Sequence, residues 1–260
     1  ALLRTPRDAI SLDIQRQTPS SRIRILLRAG GASLAAAKFL MEIMLEEKIH
    51  GGFGLGGITG SMVDMLRAGC FEELRDVQCF DLKAVESIRT DPRHHEISAF
   101  EYASPANEHA WVNSLDAVIL GATEIDTGFN VNVHTNSSGT IMGGSGGHSD
   151  TAAGAKLAMV IAPLFRARQP IITERVSCVS TPGRDIDVFV TQYGIAVNPK
   201  NEELRDRLIR AHLPIVSIEE LKAKAESLCG VPKALEHGER VAAKVIGRGG
   251  EVQDLIYCKK

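Results

Sequence analysis

DAVIL, at residues 116–120, is the clearest buried strand in the sequence. A continuous run of aliphatic and β-branched residues is typical of a parallel strand that is covered on both faces. Gly121-Ala122 ends the run, and on both sides of it short β-rich stretches alternate with helical periodicity. That alternation is the pattern of βα units around a mainly parallel sheet. We therefore predict an α/β fold, an open sheet with flanking helices.

The first predicted unit has the same order of strand, turn and helix. Residues 22–27 predict a strand, Gly30-Gly31 a turn, and residues 32–48 a helix that is buried over much of its circumference. Further strands are predicted at residues 52–55, 77–80, 157–161, 171–179, 186–190 and 195–197, and further helices at residues 61–68, 82–88, 149–156, 202–211 and 218–227. Residues 238–260 predict a terminal β-hairpin. We expect a single domain over residues 1–260, with an N-terminal segment at 1–21.

The composition excludes several classes of protein. Of the 260 residues, 44% are hydrophobic and 24% are charged, close to the averages for globular domains. The formal net charge is −2 and the basic residues are scattered, so the field that drives nonspecific binding to nucleic acids or membrane surfaces is missing. The five cysteines form no C-x-x-C pair, which favours the reducing cytoplasm. We expect small-molecule and protein partners, and neither nucleic acid nor membrane.

The strongest functional signal is the glycine loop, residues 143–147 (GGSGG), which His148-Ser149-Asp150 follows. Glycine admits positive φ and has no Cβ, so main-chain N–H groups in such a loop can converge on an anionic oxygen. A helix that starts at Ser149 would add its dipole. The glycine loop therefore predicts oxyanion or phosphate chemistry.

Two other glycine clusters, Gly30-Gly31 and Gly54–Gly57, also follow predicted strands. Loops at the carboxyl ends of strands form the binding crevice of an open α/β sheet, so all three clusters could face one ligand. Tight turns between strand and helix are the alternative for both clusters. A dinucleotide fingerprint at residues 52–57 is disfavoured by its spacing, and a P-loop is excluded because no G-x-x-x-x-G-K-[ST] occurs.

Polar side chains follow the DAVIL strand. Glu124 could orient a substrate or transfer a proton, and the amides of Asn130 and Asn132 could hold hydroxyl and carboxylate groups, although a solvated loop is an equal alternative. His148 is a candidate for ligand contact beside the glycine loop, against a structural role. No metal-ligand cluster emerges, and the neighbouring pair His94-His95 is expected to be solvated.

Six long motifs, in one order along the chain, resemble the C-terminal half of the citrate lyase alpha subunit, a citrate CoA-transferase. They are GGASLAAAKFL (30–40), LGGITGSMVD (55–64), ATEIDTGFNVNV (122–133), GGSGGHSDTA (143–152), TPGRDIDVFVTQYGIAVNP (181–199) and IVSIEEL (215–221). The resemblance implies a CoA-transferase-like α/β domain. Residues 144–150 are also similar, more distantly, to the G-x-G-G-x-x-D loop of ordinary two-domain CoA-transferases.

The resemblance implies a mechanism as well. Ordinary CoA-transferases use a glutamate before a G-x-G turn as their nucleophile, and aligning that turn on Gly54-Leu55-Gly56 puts Ile49 at its position. The citrate lyase branch implies direct transfer, in which a citrate carboxylate attacks the acetyl thioester of an acyl carrier protein through a mixed anhydride. The thioester is that of acetyl-CoA or of the carrier's phosphoribosyl-dephospho-CoA group. Family chains are about twice this long, with a site between two similar halves.

Site roles and partners follow from the same resemblance. Gly144, Gly146 and Gly147 would hold the thioester oxygen, with Glu124 as a further catalytic residue. Asn130, Asn132, His148 and Asp150 would bind citrate, and Gly30, Gly31, Gly56 and Gly57 would shape the channel for the thioester. The implied partners are citrate, acetate, the beta and gamma (acyl carrier) subunits and the N-terminal half of the family chain.

Two alternatives remain from the sequence. One is a non-catalytic module of the same fold, which senses a carboxylate or assembles the other lyase subunits. The other is an isomerase or sugar-phosphate sensor of related architecture. That last function would need a cation facing the glycine loop, and Lys156 is the near candidate.

Overall fold

The computed structural model describes residues 23–27, 31–232 and 235–260, so the predicted N-terminal segment at 1–21 lies outside the described residues. The strands are β1 (Ile23–Leu27), β2 (Gly51–Ile58), β3 (Phe71–Cys79), β4 (His94–Glu96), β5 (Ala117–Leu120), β6 (Glu124–Asp126), β7 (Val131–Asn132), β8 (Ala158–Ile161), β9 (Phe165–Arg166), β10 (Gln169–Pro170), β11 (Ile172–Thr173), β12 (Val188–Thr191), β13 (Gly194–Val197), β14 (His237–Ile246) and β15 (Val252–Lys259). The helices are α1 (Gly31–Glu46), α2 (Gly60–Arg67), α3 (Leu82–Thr90), α4 (Ala99–Ala103), α5 (His148–Gly154), α6 (Glu202–Arg210) and α7 (Ile218–Cys229).

The central sheet has eight strands in the order β13-β12-β8-β5-β1-β2-β3-β4. All neighbouring strands in it are parallel except β12 and β13, which are antiparallel. The chain builds outward from β1 to β4 and then returns to the other side of β1 with β5. The sheet therefore has its topological switch point between β1 and β5, where open α/β sheets form their ligand crevice. The predicted α/β fold with a mainly parallel sheet is confirmed.

Strand β5 contributes to the hydrophobic core on each face of the sheet. Val118 and Leu120 belong to the core that α5 and α7 cover, whereas Ala117 and Ile119 belong to the core that α1, α2 and α6 cover. Side chains alternate across a strand, so a strand buried on both faces needs apolar residues at every position. This double burial explains the unbroken aliphatic run.

The predicted C-terminal hairpin is present as the antiparallel pair β14 and β15. Its apolar contact with the rest of the chain is small, with Val245 and Ile256 packed around Cys178. Hydrogen bonds add to it: the Asp254 carboxylate accepts from the main-chain N–H of Val179 at 2.7 Å. The hairpin is thus fastened to the irregular segment around Cys178 and Val179.

The glycines at residues 51–57 lie inside β2, so the tight turn given above as the alternative for the Gly54–Gly57 cluster does not form. The strand continues to Ile58, with a β-bulge against β3 between those two glycines. A Cβ on Gly51 would lie 2.6 Å from the Phe71 ring and 2.8 Å from the main-chain oxygen of Ile23. Glycine in a strand interior commonly marks a bulge or such a close approach. The glycines are present because neighbours pack directly against the strand backbone.

Residues 174–179 do not continue the predicted strand at 171–179, of which only β11 forms. The main-chain N–H of Ser177 donates to the Glu124 carboxylate at 3.0 Å, and that of Val179 donates to Asp254. N–H groups that are committed to side-chain carboxylates cannot form a strand ladder. The apolar run is therefore irregular despite its composition.

His94 is buried, so its expected solvation is wrong. Its Nε2 lies 3.2 Å from Oδ2 of Asp76, and its Nδ1 lies 3.0 Å from the Ser87 hydroxyl. Both partners come from other elements of the fold, β3 and α3, and supply hydrogen bonds that replace water.

Among the described residues, no helix is long and apolar enough to cross a membrane.

Candidate functional site

A cleft of about 610 Å³ opens at the carboxyl ends of β1, β2, β3 and β5, at the switch point of the sheet. Apolar side chains from these strands and from α4 form one wall, and the glycine loop forms another. The lining includes Leu26, Val77, Phe80, Ala99, Tyr102 and Leu120. Within the described lining, Asp150 is the one carboxylate, and there is no lysine or arginine. The cleft therefore suits an uncharged, largely apolar group.

The glycine loop lies open on this cleft. A Cβ on Gly143, Gly144 or Gly146 would meet nothing within 4 Å, and Gly143 and Gly146 have φ values of +155° and +55°. The main-chain N–H groups of Gly144, Gly146 and Gly147 donate no hydrogen bond to any described residue. Main-chain donors are normally paired with protein or water. The loop thus carries uncommitted N–H donors beside the cleft.

Gly147 is close to Tyr102, the residue of α4 that faces the loop. A Cβ at this glycine would lie 2.6 Å from Cε1 of Tyr102. Sequence reasoning missed α4, although Ser98 and Glu101 form a capping box, whose S-x-x-E spacing is a helix-start signal. No sequence signal places the Tyr102 ring against a glycine that lies 45 residues further along the chain.

His148 anchors the end of the glycine loop. It is buried, with Nδ1 2.7 Å from the Thr181 hydroxyl and Nε2 2.9 Å from the main-chain oxygen of Gly121. Because a carbonyl oxygen only accepts, Nε2 carries the proton in that pair. Both ring nitrogens are therefore committed to protein partners, and the histidine ties the loop to the end of β5.

Asp150 lies in the lining and is tied to the C-terminal hairpin. Its Oδ1 lies 3.1 Å from Nε of Arg248, whose Nη1 also donates to the main-chain oxygen of Asp150. Burial raises the pKa of Asp150, and the Arg248 charge opposes that rise in part. The predicted substrate-binding carboxylate is thus held by a cation from the hairpin turn.

The other two glycine clusters differ in whether they reach the cleft. Gly57 lines the cleft, where a Cβ would overlap the Phe80 ring, and Gly56 has φ of +113°. Gly31 begins α1 after the carboxyl end of β1, and Gly30 lies outside the described residues. The structure therefore brings Gly57 to the glycine loop, in the same cleft.

Glu124 and Asn132 are buried in a small sheet and do not line the cleft. The Asn132 side-chain amide donates to Glu124 Oε2 at 2.9 Å, and Ser177 donates to both carboxylate oxygens. Asn132 Oδ1 accepts the main-chain N–H groups of His134 and Thr135. Hydrogen bonds within this chain therefore occupy the polar groups of both side chains.

Asn130 is likewise occupied by structure. Its Nδ2 donates to both carboxylate oxygens of Asp126 at 3.1 Å, and its Oδ1 accepts the N–H of Gly183 at 2.9 Å. The structure does not bring Glu124, Asn130 or Asn132 together with the glycine loop. In sequence they follow a strand that ends at the cleft, but the chain turns away into β6 and β7.

Two further sequence interpretations are changed by the geometry. Ile49 precedes the start of β2 and packs on the core, whereas Gly57 of the cleft lies at the far end of that strand, roughly 25 Å away by strand rise. Ile49 therefore does not occupy a nucleophile position in this cleft.

Lys156 is the other residue concerned. Its Nζ lies 2.8 Å from Oδ1 of Asp116 and it does not line the cleft, which removes the cation that a sugar-phosphate function required. No metal-binding group of acidic, histidine or cysteine residues is found in the described part of the chain.

Comparison with known proteins gives consistent matches. A family model described as citrate lyase, alpha subunit (CitF) matches residues 23–258. The citrate lyase alpha chain of Klebsiella pneumoniae is 49% identical over 227 residues, which are 87% of this chain and 45% of that protein. The Escherichia coli K12 protein is 46% identical over 231 residues, 89% of this chain and 45% of that protein. This chain therefore spans about half the length of the curated relatives that it matches.

Solved structures agree on the fold. A crystal structure described as the alpha subunit of citrate lyase from Streptococcus mutans, in complex with citrate, superposes with a TM-score of 0.92. It is 39% identical, and the match covers 99% of this chain and 51% of that one. RipA from Yersinia pestis matches with a TM-score of 0.55 at 18% identity, and so shares the fold alone.

Proposed function

Because the chain belongs to the citrate lyase alpha subunit family, we propose that it provides one half of a citrate CoA-transferase site. The reaction exchanges acetyl for citryl on a CoA-type thioester, either acetyl-CoA or the phosphoribosyl-dephospho-CoA group of an acyl carrier protein. The observation that supports this most is the glycine loop, whose uncommitted N–H groups lie beside an apolar cleft at the sheet's switch point.

The first step is attack of a citrate carboxylate oxygen on the acetyl thioester carbonyl. The carbonyl oxygen becomes anionic, and we assign the N–H groups of Gly144, Gly146 and Gly147 to it. A well-placed donor of this kind lowers a barrier by about 3 kcal/mol. The C–S bond then breaks, which leaves a thiolate and a citric–acetic mixed anhydride. The thiolate attacks the citryl carbonyl of that anhydride, and acetate leaves.

This chain needs no side-chain nucleophile for such a route. Citrate is itself the nucleophile, so the protein chiefly holds two reactants together and excludes water. Within the described cleft lining, the one carboxylate is Asp150, and Arg248 already pairs with it. In this half of the site, the described lining therefore offers no unpaired carboxylate as a nucleophile.

The apolar wall of the cleft fits the pantetheine arm of the thioester. Leu26, Val77, Phe80 and Leu120 supply that wall, and the Phe80 ring packs directly against Gly57. The complementary half of the family chain and the beta and gamma subunits are the proposed protein partners. A cytoplasmic location suits the five cysteines, all of which are free.

The test is acetyl exchange between an acetyl thioester and citrate, with this chain and the complementary half of a family chain. Gly146→Val should lower the exchange rate about 100-fold or more, because a side chain at φ +55° displaces the donors. The matched control is Gly69→Val: Gly69 also has positive φ (+82°) and open space, but it lies outside the cleft lining. Exchange that is unchanged in Gly146→Val, or lost equally in both folded variants, would contradict the proposal.

A second candidate is a non-catalytic assembly module. Exposed apolar side chains near the cleft favour it, since Leu82 is 85% exposed and Phe100 is 56% exposed. An assembly module would bind its partner subunits equally well with Gly146→Val. Loss of exchange with assembly retained therefore separates the two functions.

A further inference from the structure

A second cavity, of about 370 Å³, lies next to the cleft. Met142 lines this cavity and Gly144 lines the cleft, so the glycine loop begins between the two. Two residues of chain span about 7 Å at most. One residue, Gly143, therefore separates the linings of the two spaces along the chain.

The second cavity is lined by polar side chains that have no partner among the described residues. Arg166, Ser137 and Gln169 all line it, and none of the three side chains forms a hydrogen bond or ion pair with a described residue. They offer a cation, a hydroxyl and an amide, which together are the groups that recognise carboxylate oxygens. In contrast, no lysine or arginine is found in the described lining of the cleft.

The β9–β10 hairpin positions two of these side chains. Arg166 pairs with Gln169 across the hairpin, and residues that are directly opposite in an antiparallel pair lie on one face. The two residues between them, Ala167 and Arg168, have φ of +47° and +63°. That region is uncommon for residues with a Cβ. The backbone thus adopts an uncommon turn conformation, which places Arg166 beside Gln169 at one cavity.

We propose that the second cavity binds carboxylate groups of the polycarboxylate substrate, with Arg166 as the charged anchor and Ser137 and Gln169 as hydrogen-bond partners. The inference rests on the proposed function and adds the location of the attacking substrate. One carboxylate stays at Arg166, and another reaches past Gly143 to the thioester carbonyl in the cleft. The charged reactant and the apolar reactant therefore occupy separate spaces that meet at the glycine loop.

Calorimetric titration of citrate into the full chain tests this site. Arg166→Gln should weaken citrate binding about tenfold, since a charge-assisted contact to a carboxylate is lost. Arg175→Gln is the matched control: Arg175 is also exposed and outside both cavities, and it should change the citrate dissociation constant less than about twofold. Gln169→Glu should weaken binding as well, because it adds a negative charge opposite Arg166.

Parallel titrations with dephospho-CoA identify which anion uses the site. Weakened citrate binding with unchanged dephospho-CoA binding supports the proposal. A chain that binds no citrate, equal effects of Arg166→Gln and Arg175→Gln, or an effect on dephospho-CoA alone would each overturn it. Circular dichroism verifies that every variant is folded. These are binding measurements without a thioester reaction, so failed acetyl exchange with Arg166-dependent citrate binding would refute the proposed function and leave this site standing.

Discussion

Strand β2 and the glycine loop are both rich in glycine, and they use it for opposite reasons. In β2, a Cβ on Gly51 would lie 2.6 Å from the Phe71 ring, so glycine is required by packing. In the loop, a Cβ on Gly144 or Gly146 would meet nothing within 4 Å. Space does not require glycine at these two positions, where what remains is backbone conformation and access to N–H groups. The same residue type therefore marks a packed interior in one region and an open ligand surface in the other.

The largest effect on stability is expected in β2. Gly51→Ala places a methyl group 2.8 Å from the main-chain oxygen of Ile23, which the sheet holds in place. We expect the free energy of unfolding to fall by about 3 kcal/mol, the upper range for overpacking a core. Denaturant unfolding followed by circular dichroism measures this loss. A loss below about 0.5 kcal/mol would mean that packing does not account for the β2 glycines.

A somewhat smaller effect is expected at Asp76, which fixes the bulge at the end of β2. Its carboxylate accepts hydrogen bonds from the N–H of Ile58, the N–H of Gln78, the thiol of Cys79 and His94. Burial alone raises the pKa of Asp76, but these hydrogen bonds outweigh it and leave the pKa below the ordinary value of 3.8. Asp76→Asn should lower the free energy of unfolding by about 2 kcal/mol at pH 7.

The pH dependence gives this prediction a sharper form. A carboxyl group whose pKa is lowered in the folded state stabilises the protein above its unfolded pKa, and that stabilisation is lost as pH falls through the folded value. The gap in unfolding free energy between the unchanged chain and Asp76→Asn should therefore be full near pH 6 and shrink below about pH 4. A gap that is constant from pH 3 to pH 7 would contradict the role of the ionised carboxylate.

The smallest effect is expected in the glycine loop. Gly144→Ala adds a methyl group that meets no atom within 4 Å, and Gly144 is not among the residues with positive φ. The free energy of unfolding should change by less than about 0.5 kcal/mol. The comparison with Gly51→Ala, measured under the same conditions, isolates packing as the difference. A loss at Gly144 as large as that at Gly51 would remove the distinction between the two regions.

The sequence by itself determined the fold class, because the spacing of apolar residues along the chain shows which positions of each element are buried. Residues 116–120 had to be a strand covered on both faces, and the α1 helix and the C-terminal hairpin followed from equally local signals. The six family motifs were also visible in sequence. The glycine loop was predicted as a ligand surface because five residues with four glycines leave the backbone open.

Only the tertiary structure decided which of the predicted polar residues reach the cleft. Glu124, Asn130 and Asn132 follow β5, whose end lines the cleft, but their side chains are used elsewhere. Glu124 and Asn132 hydrogen-bond to each other, Glu124 also accepts from Ser177, and Asn130 accepts from Gly183. Arg166 drew no attention in sequence, since its significance depends on a turn that brings it to the same cavity as Ser137, whose described lining contains no carboxylate. Contacts between residues far apart in the chain cannot be obtained from local periodicity, because hydrogen-bond partners are selected by the packing of whole elements.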